Sequence, residues 1–448
     1  MGLIQNAIEE AGISTVSLTA HPHITKMVGV PRALYMRLLD AVSPDRPVLI
    51  LDDIGHGAWV NSVAMAAAGY DTASDEANGN IIMHTDSGIP NGVVLENAPH
   101  MLRTLAFPPT EENLERAYKG LVGVAEELNA NGITTVSDAG GYWPQGHHMV
   151  WDRAEREGTL TIRASNAFYI YPDKPLTEQL AALKQLYHNN PDRLVRFNQA
   201  KIYVDGILSQ ATGALLEPYE SGLNLDAGEE LGFLYFEEQT LYRTAHDLAA
   251  AGFQLHFHVT GDHGARLALN AIEQADASSG PHRLTHIYLA DPADYPRFAE
   301  LGVVADLQLA PSTVNADYKN FIDEFIGDRT RLLMPAGALI EAGATVTISS
   351  DWDADELYPL AKIETVVSRE RNGVPDVATA IETMTINPAI ALRHDERTGS
   401  IEVRKYADLV ILSDNILNLP VARIGDVEVE ATLLQGEAVF DETGLFVQ

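Results

Sequence analysis

Lys201, His258, His286 and Asp351 each stand at the end of a short apolar run, and together they read as most of a two-metal hydrolytic site. The runs are VRFNQAKIYVDG, carrying Lys201; FQLHFHVTGD, carrying His256 and His258; RLTHIYLA, carrying His286; and TVTISSDWD, carrying Asp351. Imidazole nitrogen and carboxylate oxygen suit zinc, iron or manganese, with geometry rather than raw affinity choosing among them. Such an ion lowers the pKa of bound water from about 15.7 to roughly 7. That supplies hydroxide for attack on an amide carbonyl whose oxygen the ion polarises. Asp351, beside the nucleophile, would accept its proton and pass it to the departing nitrogen.

Each residue also has a plainer reading. Only eight of the thirty basic residues are lysines, most of them in polar segments such as YPDKPLTEQ, whereas Lys201 sits inside an apolar strand. A buried lysine is costly unless neutral or paired. It would either pair with Asp205 or another carboxylate, or react with carbon dioxide to form a carbamate whose two oxygens bridge two ions. His256 lies two residues before His258, hence on the same strand face; it could be a ligand, or it supports the site or fills the core. His286 alone would read as an interior histidine; the context HRLTH, in order after His258, favours a ligand. Asp351 could cap a helix, yet its place at the last strand end favours a metal. His147, His148, His188, His246, His282 and His394 fall in polar stretches and read as surface residues. An imine-forming lysine would leave the histidines and the aspartate unexplained.

The elements that must hold these residues alternate. Strand-like runs rich in β-branched and aromatic residues give way to Gly, Asp or Pro. Between them lie stretches of helical period: LYRTAHDLAAAG, GARLALNAIEQA and RTRLLMPAGALIEAG. Further strands are expected in GITTVSDAGG, which ends near Asp138, a candidate for the pocket wall, and in LTIRASNAFYIYP and VVADLQLAP. Such alternation implies a parallel sheet with crossover helices. Continued for about eight units it closes into a barrel whose active site lies at the C-terminal strand ends. DDIGHGAWVNS places His56, Trp59 and Asn61 after another strand-like run, in a loop with two glycines. It reads either as a pocket-shaping loop or as a structural turn with Trp59 in the core.

Composition sets limits. The 448 residues suffice for a barrel and a small second domain. There is no cysteine, so disulfides and thiolate metal sites are excluded. A net charge of −33 argues against nucleic acid and anionic membrane partners. With neither a bilayer-length apolar run nor a leader, the expected location is the cytoplasm. A small molecule is the expected partner, and a homo-oligomer is compatible with the sequence.

In order and spacing the segments LDAVSPDRPVLILDDIGHGAWVNS, GVVLENAP, GITTVSDAG, AKIYVDGILSQATGALLEPY, GFQLHFHVTGD, HRLTHIYL, ISSDWD and TGSIEVRKYADLVILSDN resemble the amidohydrolase superfamily. Within it they resemble amidohydrolase family 3, the branch of N-substituted formamide deformylase and the YtcJ-like hydrolases. The resemblance implies a (β/α)8 TIM barrel of the metal-dependent hydrolase type. It implies Lys201 as the carboxylated bridging lysine, His258 and His286 as ligands of the second metal, and Asp351 as the first metal's carboxylate and the proton carrier. It further implies one or two divalent ions per chain, most often zinc, and substrate contact by the loop of His56, Trp59 and Asn61. The reaction implied is hydrolysis of a non-peptide carbon–nitrogen bond in a small-molecule amide.

Two departures qualify the resemblance. The family's His-x-His pair at the first strand has no clear counterpart: His21 and His23 have the spacing, but Pro22 between them suits a central strand poorly, and they stand too close to DDIGHGAWVNS. The initial MGLIQNAIEEAG reads as a helix of the barrel's first unit, so the barrel is expected to be incomplete at its N-terminus. Residues 1–397 are assigned to the barrel, with insertions at GYDTASDEANGN and ESGLNLDAGEE. Residues 398–448, where TGSIEVRKYADLVILSDN and VEVEATLLQGEAVFD alternate apolar and polar positions, are assigned to part of a small β-sandwich. The competing functional expectation is a truncated or degenerate relative without catalysis, serving in binding or regulation.

Overall fold

A computed structural model of the chain describes residues 16–20 (backbone only), 35–52, 55–70, 79–85, 87–223, 225, 229–352 and 354–446. His21, His23 and the expected N-terminal helix lie outside the described residues, as do most of GYDTASDEANGN and part of ESGLNLDAGEE. The chain divides into two compact units. The first draws on Met1–Asn113, Pro144–Gly146 and Tyr171–Pro175, and the second on Leu114–Trp143, His147–Ile170 and Leu176–Gln448.

The first unit is built on a five-stranded sheet of β1 (Val16–Ala20), β2 (Val48–Asp52), β3 (Gly57–Val60), β4 (Asn80–His84) and β5 (Pro90–Glu96), in the order β1-β2-β3-β5-β4. β1 and β2 are parallel and the remaining pairs antiparallel. Trp59 on β3 packs with Leu39, Val48, Ile50, Val93 and Leu95 on one face of this sheet. Asn61 caps the helix Ser62–Ala68: its Oδ1 accepts from the amides of Ala64 and Val48, and its Nδ2 donates to the carbonyls of Ser43 and Arg46. One side chain thus satisfies four backbone groups.

The second unit contains seven parallel strands in sequential order: β6 (Thr135–Gly141), β7 (Arg163–Tyr169), β8 (Val195–Tyr203), β9 (Gln254–Val259), β10 (Arg283–His286), β11 (Val304–Leu307) and β12 (Thr345–Ile348). Helices cross between them, as alternation of the two periods requires. Helix Glu238–Ala250 buries Leu241, Ala245 and Leu248, and helix Asp262–Glu273 buries Ala265, Ala268, Leu269 and Ile272. These spacings of three and four make one apolar stripe facing the sheet. The segment RTRLLMPAGALIEAG is not one helix but a 3₁₀ turn, Gly327–Leu332, then a short helix, Ala336–Glu341. Pro335 lacks the amide a continuous helix would need there.

The sheet is curled. Arg283 on β10 donates to Ser137 Oγ on β6 at 2.8 Å, although three strands lie between them. On a flat sheet, four steps of about 4.8 Å would put those positions beyond an arginine's reach. The expected barrel architecture is therefore present as an α/β half-barrel, with open edges at β6 and β12 among the described residues. β13 (Leu409–Leu412), β14 (Val429–Leu434) and β15 (Glu437–Asp441) form the expected C-terminal antiparallel sheet. Its hairpin turns at Gln435 and Gly436, both at positive φ, a pairing suited to strand twist. Among the described residues no helix is long and apolar enough to cross a membrane.

Because Asn61 satisfies four backbone groups, Asn61→Ala is expected to cost roughly 2–3 kcal/mol. The measurement is the urea midpoint with its slope unchanged; an unmoved midpoint would mean that solvent replaces those bonds.

Candidate functional site

Strand β8 delivers Lys201 to the barrel interior through an irregularity. Asn166 pairs with Phe197 and Ala167 with Gln199, so Asn198 is an extra residue on β8. Val195 and Phe197 precede it on the helix-packed face; after it, Ala200 and Ile202 continue that face. Gln199, Lys201 and Tyr203 therefore turn inward, a re-aiming for which bulges serve. Lys201 is 2 % exposed. Its Nζ lies 3.4 Å from His256 Nε2 and 5.3 Å from the centroid of the Tyr203 ring. Burial pushes the amine down to about 7; the Asp351 carboxylate opposes this, Arg283 adds to it, and Asp306 opposes it.

His258 follows His256 on the same face of β9. Its ring stacks on Tyr203, centroids 4.3 Å apart, and its Nε2 lies 3.1 Å from the carbonyl oxygen of Gly206. A carbonyl only accepts, so the hydrogen is on Nε2 and Nδ1 carries the lone pair. Ligating histidines are held in this way, their other nitrogen donating to a fixed acceptor.

His286 reaches His258 through backbone strain. Register sets Thr285 opposite His258 and His286 opposite Val259, so regular alternation would turn His286 toward the helices. Instead His286 has φ 77° and Ile287 φ 45°, left-handed values that cost energy outside glycine and gather at functional sites. The His286 and His258 ring centroids lie 4.4 Å apart. Asp351, three residues beyond β12, is also left-handed at φ 50°. Its Oδ2 stands 4.0 Å from His286 Nδ1, with 48 % of the side chain exposed.

The structure thus brings Lys201, His258, His286 and Asp351 to one end of the parallel sheet. In donor chemistry they fit a divalent ion of the zinc type: two imidazoles, one already held in a ligating tautomer, and a solvent-accessible carboxylate. Among the described residues no group of three or more His, Cys, Asp or Glu is drawn close enough to grip an ion.

Several placements differ from expectation. Asp205 is no partner for Lys201: its carboxylate accepts the amides of Ala214, Thr260 and Gly261 at 2.8–2.9 Å. It ties the loop after β8 to the turn after β9. Gly261 is required at that turn because a Cβ there would lie 1.9 Å from the Ala214 carbonyl oxygen. His282 and His394 are buried, not surface residues. His282 Nδ1 accepts the Leu255 amide, and His394 Nε2 lies 3.0 Å from Ser165 Oγ. His147, His148 and His188 are half-buried, and His246 is exposed. Asp138 accepts from the Trp151 indole at 2.9 Å.

The sequence reading also missed two buried residues. Arg283 donates through Nη2 to Ser137, Gln199 and His256. Asp306 accepts the Thr285 and Thr347 hydroxyls, each at 2.6 Å, and that of Ser349 at 3.1 Å. A charged residue inside an apolar strand was the available signal, the same one that singled out Lys201. In the first unit His56 Nδ1 lies 2.7 Å from Glu96 Oε2, both buried. Nearby, burial raises Asp52 to about 6.

An amidohydrolase family model matches residues 20–440. A Bacillus subtilis protein named as the amidohydrolase YtcJ is 27% identical over 427 residues, covering 90% of this chain and 76% of that protein. The N-substituted formamide deformylase of Arthrobacter pascens is 24% identical, covering 91% and 76%. Among solved structures, an uncharacterized metal-dependent hydrolase of Pyrococcus horikoshii superposes with a TM-score of 0.68 at 20% identity, over 94% of this chain and 81% of its own.

Burial of Lys201 has a pH signature. The folded amine titrates near 7 and an unfolded lysine near 10.4, so the unfolded state holds the extra proton between those values and stability rises with pH across them. In metal-free, bicarbonate-free protein, Lys201→Met is expected to be more stable than the parent at pH 7 by on the order of 3 kcal/mol. The gap should shrink as pH approaches 10; a gap independent of pH in denaturant titrations would contradict charge burial as its cause.

Proposed function

The chain belongs to the amidohydrolase family, and we propose that it hydrolyses a non-peptide carbon–nitrogen bond in a small-molecule amide of the N-formyl, N-acyl or cyclic kind. The observation that carries this reading is the convergence of His258, His286 and Asp351 at the C-terminal strand ends, the last two on strained backbone. Family membership supports hydrolase chemistry, and the imidazole and carboxylate donors at the strand ends support dependence on a divalent metal. The amide as substrate class takes its support from the relatedness to a deformylase.

The residues divide the work. The Lys201 amine attacks carbon dioxide: its lone pair forms the N–C bond, one C=O pair moves to oxygen, and a proton leaves for solvent. His258 offers Nδ1 while Gly206 holds its other nitrogen. A divalent ion held by these groups, zinc being one that suits their donors, would supply Lewis acidity and water acidic enough to ionise near neutrality. Asp351, half in solvent and 4.0 Å from His286, accepts the proton of the attacking water. It returns that proton to the departing nitrogen as the C–N bond breaks. The products are a carboxylic acid and an amine.

The test is metal analysis and hydrolysis of N-formyl and N-acyl amines, with Xaa-Pro dipeptides as controls. Bound divalent metal and amide turnover are expected, with Asp351→Asn lowering kcat by roughly 100-fold or more. Cleavage of dipeptides alone would overturn the substrate class. Reconstituted protein without any turnover would favour the non-catalytic relative.

A further inference from the structure

His256 lies between two buried basic side chains, and hydrogen-bond logic assigns its protons. Lys201, His256 and Arg283 are in register across β8, β9 and β10: Lys201 pairs with His256, and His256 with Arg283. All three are at least nine-tenths buried. Arg283 Nη2 lies 2.8 Å from His256 Nδ1, and Lys201 Nζ lies 3.4 Å from His256 Nε2. A guanidinium only donates, so Nδ1 must accept. In a neutral imidazole the hydrogen is then on Nε2, directed at Lys201. Arg283 is itself fixed, because the same Nη2 also meets Ser137 Oγ at 2.8 Å and Gln199 Oε1 at 3.1 Å.

We infer that Arg283 and His256 form a positioning relay for the carbamate of Lys201, in which Arg283 fixes the His256 tautomer and the Nε2–H of His256 donates to a carbamate oxygen. The inference rests on the carbamate reading given above and adds what selects and orients that group. An Nε2–H facing Lys201 disfavours the ammonium and favours acceptors there: first the neutral amine, the form that reacts with carbon dioxide, and then a carbamate oxygen. The relay also explains why the first histidine of LHFH is held back from the ligands. Its two nitrogens are committed within the sheet, while the His258 lone pair is not consumed by Gly206.

Zinc-reconstituted protein titrated with ¹³C-bicarbonate reads the relay directly, through the carbamate carbon resonance and without any turnover assay. Lys201→Met identifies the signal by abolishing it. His256→Gln keeps a donor near the Nε2 position and is expected to retain the carbamate. His256→Asn, whose amide reaches only as far as Nδ1, is expected to lose roughly tenfold or more of it, the worth of one charge-assisted hydrogen bond. Arg283→Met should reduce it likewise. Should that variant fail to fold, the Gln and Asn pair still decides, since both are polar and smaller than histidine. Equal occupancy in the Gln and Asn variants would overturn the relay while leaving the carbamate standing. Absence of the signal in the parent protein would overturn the carbamate reading and the relay with it.

Discussion

Two basic side chains share the inside of one curled sheet, and a neutral imidazole lies between them. Lys201 and Arg283 are each shut off from water, where two like charges at close range would interact far more strongly than at a surface. His256 separates them as a neutral ring that accepts from one and faces the other. Asp306 is the carboxylate on the same side of the sheet, held by the hydroxyls of Thr285, Thr347 and Ser349. Burial lowers both the Lys201 and the Arg283 values, and Asp306 opposes the shift at each. The apolar shell of helices outside the strands is what buries these side chains, so packing and electrostatics are one problem here.

Regular strand geometry would not assemble the site. Without the extra residue at Asn198, Lys201 would share the face of Val195 and Phe197 and be driven among the helices. Without left-handed backbone at His286 and Ile287, the imidazole would leave the barrel mouth. Such conformations cost on the order of 1–3 kcal/mol each, and they persist where surrounding structure over-determines them. Ile287 and Leu289 are buried just beyond. The Ile287 amide is tied to Val259 and the Leu289 amide to Thr260, while Asp205 clamps the turn containing Thr260 and Gly261. The strain at the site is therefore carried by a rigid frame one residue away.

These features mark the boundary of what was legible in the chain. The alternation of periods, the seven-strand parallel series and the antiparallel C-terminal strands were readable, because hydrophobic periodicity over many residues is a strong signal. So was the importance of charge within apolar runs, as at Lys201. Arg283 carried the same signal but stood beside His282 and His286, and the histidines drew the chemistry to themselves. His282 and His394 were misplaced because local polarity says little about burial when a backbone amide or a serine hydroxyl on a distant strand supplies the partner. A single bulge and three positive φ angles are properties of pairing and loop closure; histidine and aspartate tolerate left-handed backbone better than most residues, but that preference is too weak to mark His286 or Asp351 in advance. A pairing of Lys201 with Asp205 was one open alternative; three backbone amides, donated from loops up to 56 residues away, hold that carboxylate instead.

The polar interior has a thermodynamic consequence that separates it from the rest of the molecule. Elsewhere in the second unit the core follows the ordinary rule, Leu, Ile, Val, Phe and Ala filling the space between sheet and helices, and every buried methylene contributes about 0.8 kcal/mol. At the level of Lys201, His256 and Arg283 the strands present amines, imidazoles and amides that contribute little net stability even when fully bonded. A chain selected for stability alone would fill that level with branched apolar residues, as the interiors of many barrels are filled. Retention of a lysine there, with a neutral ring fitted beside it and a guanidinium fitted beside the ring, is a local departure from the pattern that the whole fold otherwise obeys. Such departures concentrate where function requires them. In this chain the departure lies directly beneath the strand ends at which His258, His286 and Asp351 converge.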